Sequence, residues 1–173
     1  MRIDHNARKW LAASGASLAI ILSGSMLVAP NEGKVNKTYL DPIGILTSCL
    51  GHTGKELRIG QQYSDEQCYQ QLSKDLSKSQ DAVHKYVVVP LNVYQEAALI
   101  SFTYNAGAGN LSKSTMAKKF NALDYKGGCE ELVKWVYAGG KKLKGLENRR
   151  NEELAMCLGD KDAVKFVQEE VSK

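Results

Sequence analysis

Hydrophobic and polar positions divide the chain into stretches of different period. Residues 10–29, WLAASGASLAIILSGSMLVA, carry no charge at all. At about 1.5 Å per residue, a helix of that length spans roughly 30 Å, the thickness of a bilayer's hydrocarbon core. Residues 38–60 mix Thr, Ile, Tyr and Leu with glycines and a proline, which predicts a hairpin or small sheet. From Ser64 the period becomes helical. Ser64 and Gln67 form a capping-box pattern, and Cys68, Leu72, Leu76 and Val83 line one side of a helix reaching about Tyr86. Val87–Pro90 interrupts it. Asn92 is expected to cap the next helix, with Val93, Ala97, Ile100 and Tyr104 at helical spacing up to the Asn105-Ala-Gly turn. Further helices are expected over 112–123, 128–138 and 146–158. The arrangement predicted is α+β and mostly helical. A small N-terminal lobe containing β-structure is joined by a long helix to a helical C-terminal lobe, with a cleft between them.

The uncharged run has three readings. It is a core helix, a cleaved signal peptide, or an uncleaved signal anchor. Arg2, Arg8 and Lys9 precede it against the single acid Asp4, so an inserted segment would keep its N-terminus cytoplasmic and send the remainder outward. Cleavage after Ala29 would place Leu27 at the −3 position and Pro30 after the cut, a poor site; Ser23-Gly24-Ser25 is a weaker alternative. Ala, Gly and Ser dominate the run, so an anchor built from it would be held only marginally in lipid. Once out of the membrane, the segment is expected to pack as an amphipathic helix.

Composition narrows the class. Of 173 residues, 43% are hydrophobic and 24% charged, which excludes a disordered, collagen-like or multi-span chain. A net charge of +4 is too small to indicate nucleic-acid binding. Cys49, Cys68, Cys129 and Cys157 all lie on the side an anchor would export, where an even number reads as two disulfides with three possible connectivities. The simplest hypothesis pairs Cys49 with Cys68 and Cys129 with Cys157, one bridge per lobe. The spacings match no zinc site, and no metal or cofactor is expected.

Candidate chemistry lies between residues 32 and 52. Glu32 and Asp41 are the only acidic residues between Asp4 and Glu56, and Thr47 follows Asp41 after five intervening residues. Glycoside hydrolysis needs one carboxyl protonated to donate to the leaving oxygen and a second kept ionised. Two such carboxylates could face each other across a cleft, although the pair by itself reads first as two surface acids.

The longer string, Glu32, Asp41, Thr47, Gly51-His52, resembles the T-even-type phage lysozymes in its E-x8-D-x5-T spacing followed by G-H. Asp75, the Asn105-Ala-Gly stretch, Trp135-Val-Tyr-Ala-Gly-Gly and the Gly145-Leu146, Arg149-Arg150, Glu153 signature extend the resemblance over residues 31–158. With its N-terminal run, the whole chain is similar to the signal-anchor-release endolysins of lambdoid phages.

The resemblance implies a lysozyme-like two-lobed domain over residues 31–173, behind a releasable signal-anchor helix over 1–30. It implies Glu32 as general acid, Asp41 as the ionised partner and Thr47 as a water-positioning group. His52 and Asp75 would form a structural pair, Asn105 would lie at the cleft, and Arg149 or Arg150 would hold Glu32. The implied activity is that of an N-acetylmuramidase acting on peptidoglycan as a monomer. Its implied partners are the inner membrane, the host Sec machinery, and a holin or pinholin acting through depolarisation. The domain would be periplasmic, tethered first and soluble after release. Because residues 10–29 contain no cysteine, thiol exchange with the anchor is unavailable to this chain. A lytic transglycosylase or a non-enzymatic wall-binding protein is the alternative.

Overall fold

The computed structural model describes residues 1–41 and 44–172; Pro42 and Ile43, in the turn expected after Asp41, lie outside them, as does Lys173. Helix α1 (His5–Ala13) begins where the Asp4 carboxylate accepts from the Ala7 N–H. Gly15 follows at φ +75°, a left-handed conformation that favours glycine. Ser17 then caps α2 (Leu18–Leu22) by accepting from the Ile20 N–H. The chain continues through a π-helical turn, Ser23–Val28.

The uncharged run is therefore two helical pieces rather than one continuous helix. Among the described residues, no helix is long and apolar enough to cross a membrane. The expected amphipathic packing is also replaced, because every residue from 19 to 29 is buried. The cause is the number of neighbours: these turns touch α1 and the helices α3, α4, α8 and α9 described below. The fit is tight at Gly24. A β-carbon there would lie 2.3 Å from Leu11 Cδ1 and 2.9 Å from Leu76 Cδ1. Ser25 resolves its buried hydroxyl by donating to the Ile21 carbonyl at 2.5 Å.

The small lobe holds an antiparallel sheet in the order β1 (Val35–Leu40), β2 (Leu46–Cys49) and β3 (His52–Thr53). Tyr39 stands opposite Thr47, and Thr47 opposite Thr53. Helix α3 (Asp65–Tyr86) opens with the Ser64/Gln67 capping box that the sequence indicates. Helix α4 (Val93–Ala106) is capped by Asn92 and is buried from Ala97 to Thr103, because α3 and the last lobe close on both of its sides.

The helical lobe is more finely divided than the hydrophobic pattern suggests. The helix expected over 112–123 is split into α5 (Ala108–Lys113) and α6 (Thr115–Asn121), since the Ser114 hydroxyl accepts from the Ala117 N–H and starts a new helix. The one expected over 128–138 becomes α7 (Tyr125–Glu130), a 3-10 turn (Glu131–Lys134) and strand β4 (Tyr137–Ala138). Gly139 and Gly140, both at positive φ, turn β4 back onto β5 (Lys141–Lys142). Helix α8 (Lys144–Cys157) packs along α4.

An additional helix, α9 (Lys161–Val171), is capped by Asp160 and buries Ala163 and Phe166. It lies against α2, and it also holds α1: Arg8 Nε donates to Glu170 Oε1 at 2.6 Å, and its guanidinium sits 4.5 Å above the Phe166 ring.

Two disulfides pair Cys49 with Cys68 and Cys129 with Cys157, the within-lobe pattern. The sequence separations are 19 and 28 residues, for which loop closure stabilises by about 3 kcal/mol each in the chain-entropy picture.

The Gly24 packing makes a direct prediction. Replacing Gly24 by Val drives two methyl groups into Leu11 and Leu76 and should destabilise the fold by about 1–3 kcal/mol. Thermal unfolding should show the Tm falling by several degrees. An unchanged Tm would mean that α1 and α3 do not meet the π-helical turn at this distance.

Candidate active site

Glu32 stands just beyond the buried turns. Its N–H donates to the Val28 carbonyl at 2.9 Å, so it continues the helical path. Asn31 secures the same point by donating to the Leu27 carbonyl at 2.7 Å and to Glu152 Oε2 of α8 at 2.6 Å. The Glu32 carboxylate is about three-quarters shielded, and its Oε1 accepts from Arg149 Nη2 at 2.5 Å.

Gly51 forms the floor beneath Glu32. It has φ +90°, and a β-carbon there would lie 3.2 Å from Glu32 Oε2. Both the backbone angle and the space therefore call for glycine. Beside it the Tyr104 hydroxyl donates to the Leu50 carbonyl at 2.6 Å. Burial, followed by the charge of Glu32, holds this phenol well above its ordinary pKa, so Tyr104 stays a neutral donor.

Asp41 follows β1. Its backbone N–H donates to the Ile45 carbonyl at 2.9 Å, and its Oδ1 accepts from the Ile45 N–H at 2.8 Å. Thr47 is buried on β2, and its hydroxyl donates to the Ile45 carbonyl at 3.0 Å. Glu32, Asp41 and Thr47 line one cavity of about 390 Å³ together with Tyr39, Gly51, Thr53, Tyr104 and Asn105. A second cavity, also about 390 Å³, is lined by Asn31, Glu32, Asn105, Arg149 and the residues around Leu143–Asn148. Glu32 and Asn105 belong to both walls, so the two form one groove with Glu32 at the junction. Burial also raises the Tyr39 phenol, with Glu32 and Asp41 adding to the shift.

The structure assigns the consecutive arginines to different tasks. Arg149 reaches Glu32. Arg150 is only 1% exposed and turns inward, donating to Asn105 Oδ1 at 2.7 Å and pairing with Glu153. His52 and Asp75 are brought together but lie outside the Glu32 cavity. His52 Nδ1 is 2.5 Å from Asp75 Oδ2, and its Nε2 is 2.8 Å from Glu56 Oε1. Among the described residues, no cluster of His, Cys, Asp and Glu could hold a metal ion.

Sequence reasoning did not single out Tyr104, Tyr39 or Asn31. Tyr104 reads as another apolar position of α4; its place immediately before Asn105 is the one available signal. Tyr39 could have been found from strand alternation, since it shares a register with Thr47.

The chain is similar to known proteins over most of its length. A family model described as phage lysozyme matches residues 29–153. The SAR-endolysin of Bacteriophage PS119 is 41% identical over 155 residues, covering 87% of this chain and 92% of its own. The active form of the P1 phage endolysin shares the fold at a TM-score of 0.79 and 20% identity, over 91% of this chain and 96% of that one. The muramidase domain of SpmX from Asticaccaulis excentricus matches at a TM-score of 0.70 and 26% identity, over 76% of this chain and 92% of that one. With a carboxyl held by an arginine at the centre of a polar groove, and with these likenesses over most of its length, the chain belongs to the phage lysozyme family.

Proposed function

We propose that this family member is a muramidase that hydrolyses the β-1,4 bond between N-acetylmuramic acid and N-acetylglucosamine in bacterial peptidoglycan. The observation that carries the reading is the shared cavity: Glu32, Asp41 and Thr47 line it together while Arg149 holds Glu32. Glu32 donates its proton to the glycosidic oxygen as the bond breaks. The Asp41 carboxylate, with Thr47, orients a water and takes one of its protons as the oxygen attacks the anomeric carbon directly, so configuration inverts. The water's hydroxyl ends on the muramic acid and the transferred proton on the leaving sugar.

The same reading includes control by topology. Residues 1–30 act as a single-pass anchor exported through the host Sec machinery, and residues 31–173 as the periplasmic catalytic unit. While residues 10–29 lie in lipid, Glu32 is confined near the bilayer, since three extended residues reach only about 10 Å. Residues 19–29 also supply much of the core of the folded protein. A tethered chain therefore lacks both its core and the Val28 carbonyl in its folded position. Depolarisation by a holin or pinholin permits release, and the soluble enzyme forms in the periplasm.

Two experiments test the parts separately. Glu32→Gln and Asp41→Asn should each lower wall hydrolysis by about 10²–10⁴-fold without loss of fold. Released muropeptides should end in reducing muramic acid; an anhydro end would assign a transglycosylase instead. For the anchor, Ala12, Ala13 and Ser14 are exposed in the fold. Changing all three to Leu raises the apolarity of the run while sparing Gly24 and the core. This variant should stay with the membrane after an uncoupler and delay lysis, at near-normal Tm. Equal release of variant and native protein would overturn the tethering.

A further inference from the structure

Behind the groove lies a charged cluster that the reaction as described does not use. Arg150 is 1% exposed and Glu153 fully buried. Arg150 Nε lies 3.0 Å from Glu153 Oε2, and Arg150 Nη2 donates to Glu153 Oε1 at 3.2 Å. The Ser101 hydroxyl also donates to Oε1, at 2.7 Å, and the guanidinium sits 5.1 Å above the Phe102 ring. A buried pair of this kind carries a large desolvation cost, and well-packed apolar residues often replace it without loss of stability. Stability is therefore a poor account of why it is there.

Toward the groove, among the described residues, it reaches Asn105: Arg150 Nη2 donates to Asn105 Oδ1 at 2.7 Å. A guanidinium has donors and no acceptor, so the Asn105 oxygen must face it and the NH2 must face away. Asn105 is exposed and lines both halves of the groove beside Glu32. The groove thus receives a neutral donor of fixed orientation next to the acid.

We infer that Asn105 is a specificity residue for the 2-acetamido group of the sugar at the scissile bond, and that Arg150 and Glu153 are positioning residues that aim its amide. The inference rests on the glycan-hydrolase reading above. In an amino-sugar polymer the acetamido group stands on the carbon next to the anomeric carbon, making its carbonyl the amide acceptor nearest to the atom that Glu32 protonates. A neutral NH2 suits a neutral carbonyl.

The test compares peptidoglycan with the same material chemically de-N-acetylated. Asn105→Ala should lower kcat/KM roughly tenfold on the acetylated glycan, chiefly through KM. On the de-N-acetylated glycan it should change kcat/KM very little. Asn105→Asp, which presents an acceptor instead of a donor, should lose more than Ala on the acetylated glycan. Arg150→Met together with Glu153→Met avoids stranding a lone buried charge. It should show the same loss as Asn105→Ala, and adding Asn105→Ala to it should cost nothing more.

Equal losses on both glycans, or a folded Arg150→Met/Glu153→Met variant with native kcat/KM, would overturn the inference. Should that double variant fail to fold, the Asn105 variants still decide the matter. Glu32→Gln measured on both glycans is the separate control. If it keeps activity, the hydrolase reading itself fails, independently of Asn105.

Discussion

The backbone of Glu32 is tied to the core by the hydrogen bond from its own N–H to the Val28 carbonyl, at the end of turns buried on every side. The position of the acid therefore depends on whether residues 19–29 occupy the core. Most functional side chains sit on loops over a scaffold that stands without them, whereas here the segment leading into the group is itself scaffold. Arg149, Gly51 and Tyr104 then converge on a carboxylate whose backbone is already set.

The two consecutive arginines of α8 show how one helix serves both sides of this arrangement. Adjacent helical residues point about 100° apart, since a turn takes about 3.6 residues. One guanidinium can therefore face the groove while the next faces the interior. The spacing from Arg150 to Glu153 brings the second pair onto one face of the helix. Ser101 and Asn105 lie four residues apart on the facing helix α4 and meet the two ends of that pair.

Much of this was legible in the sequence, and what was not has physical causes. The capping box at Ser64 and the cap at Asn92 mark α3 and α4 because short polar side chains declare helix starts locally. The family resemblance, rather than the two carboxylates by themselves, points to Glu32, Asp41 and Thr47 together, and all three line one cavity. The division of labour between Arg149 and Arg150 was not legible, since it depends on the angle at which α8 meets α4. Nor was the break at Gly15. An uncharged run has the same hydropathy whether lipid or protein surrounds it, and only packing partners distant in sequence, such as Leu76 and Phe166, make it a core. The serines and glycines of the run have two consequences at once. They weaken its preference for lipid, and at Gly24 they let Leu11 and Leu76 approach the backbone.

Neither disulfide includes a residue of the N-terminal run. Both lie within residues 49–157, joining β2 to α3 and α7 to α8. On the proposed reading, the slow covalent chemistry of oxidation can finish while the first thirty residues are still elsewhere. Only non-covalent docking then remains, and such collective rearrangements run on microseconds to seconds rather than minutes to hours. The molecule would be stored as a cross-linked shell lacking one internal piece. Its response time would be set by how fast that piece arrives, and the redox state of the compartment would have no part in the timing.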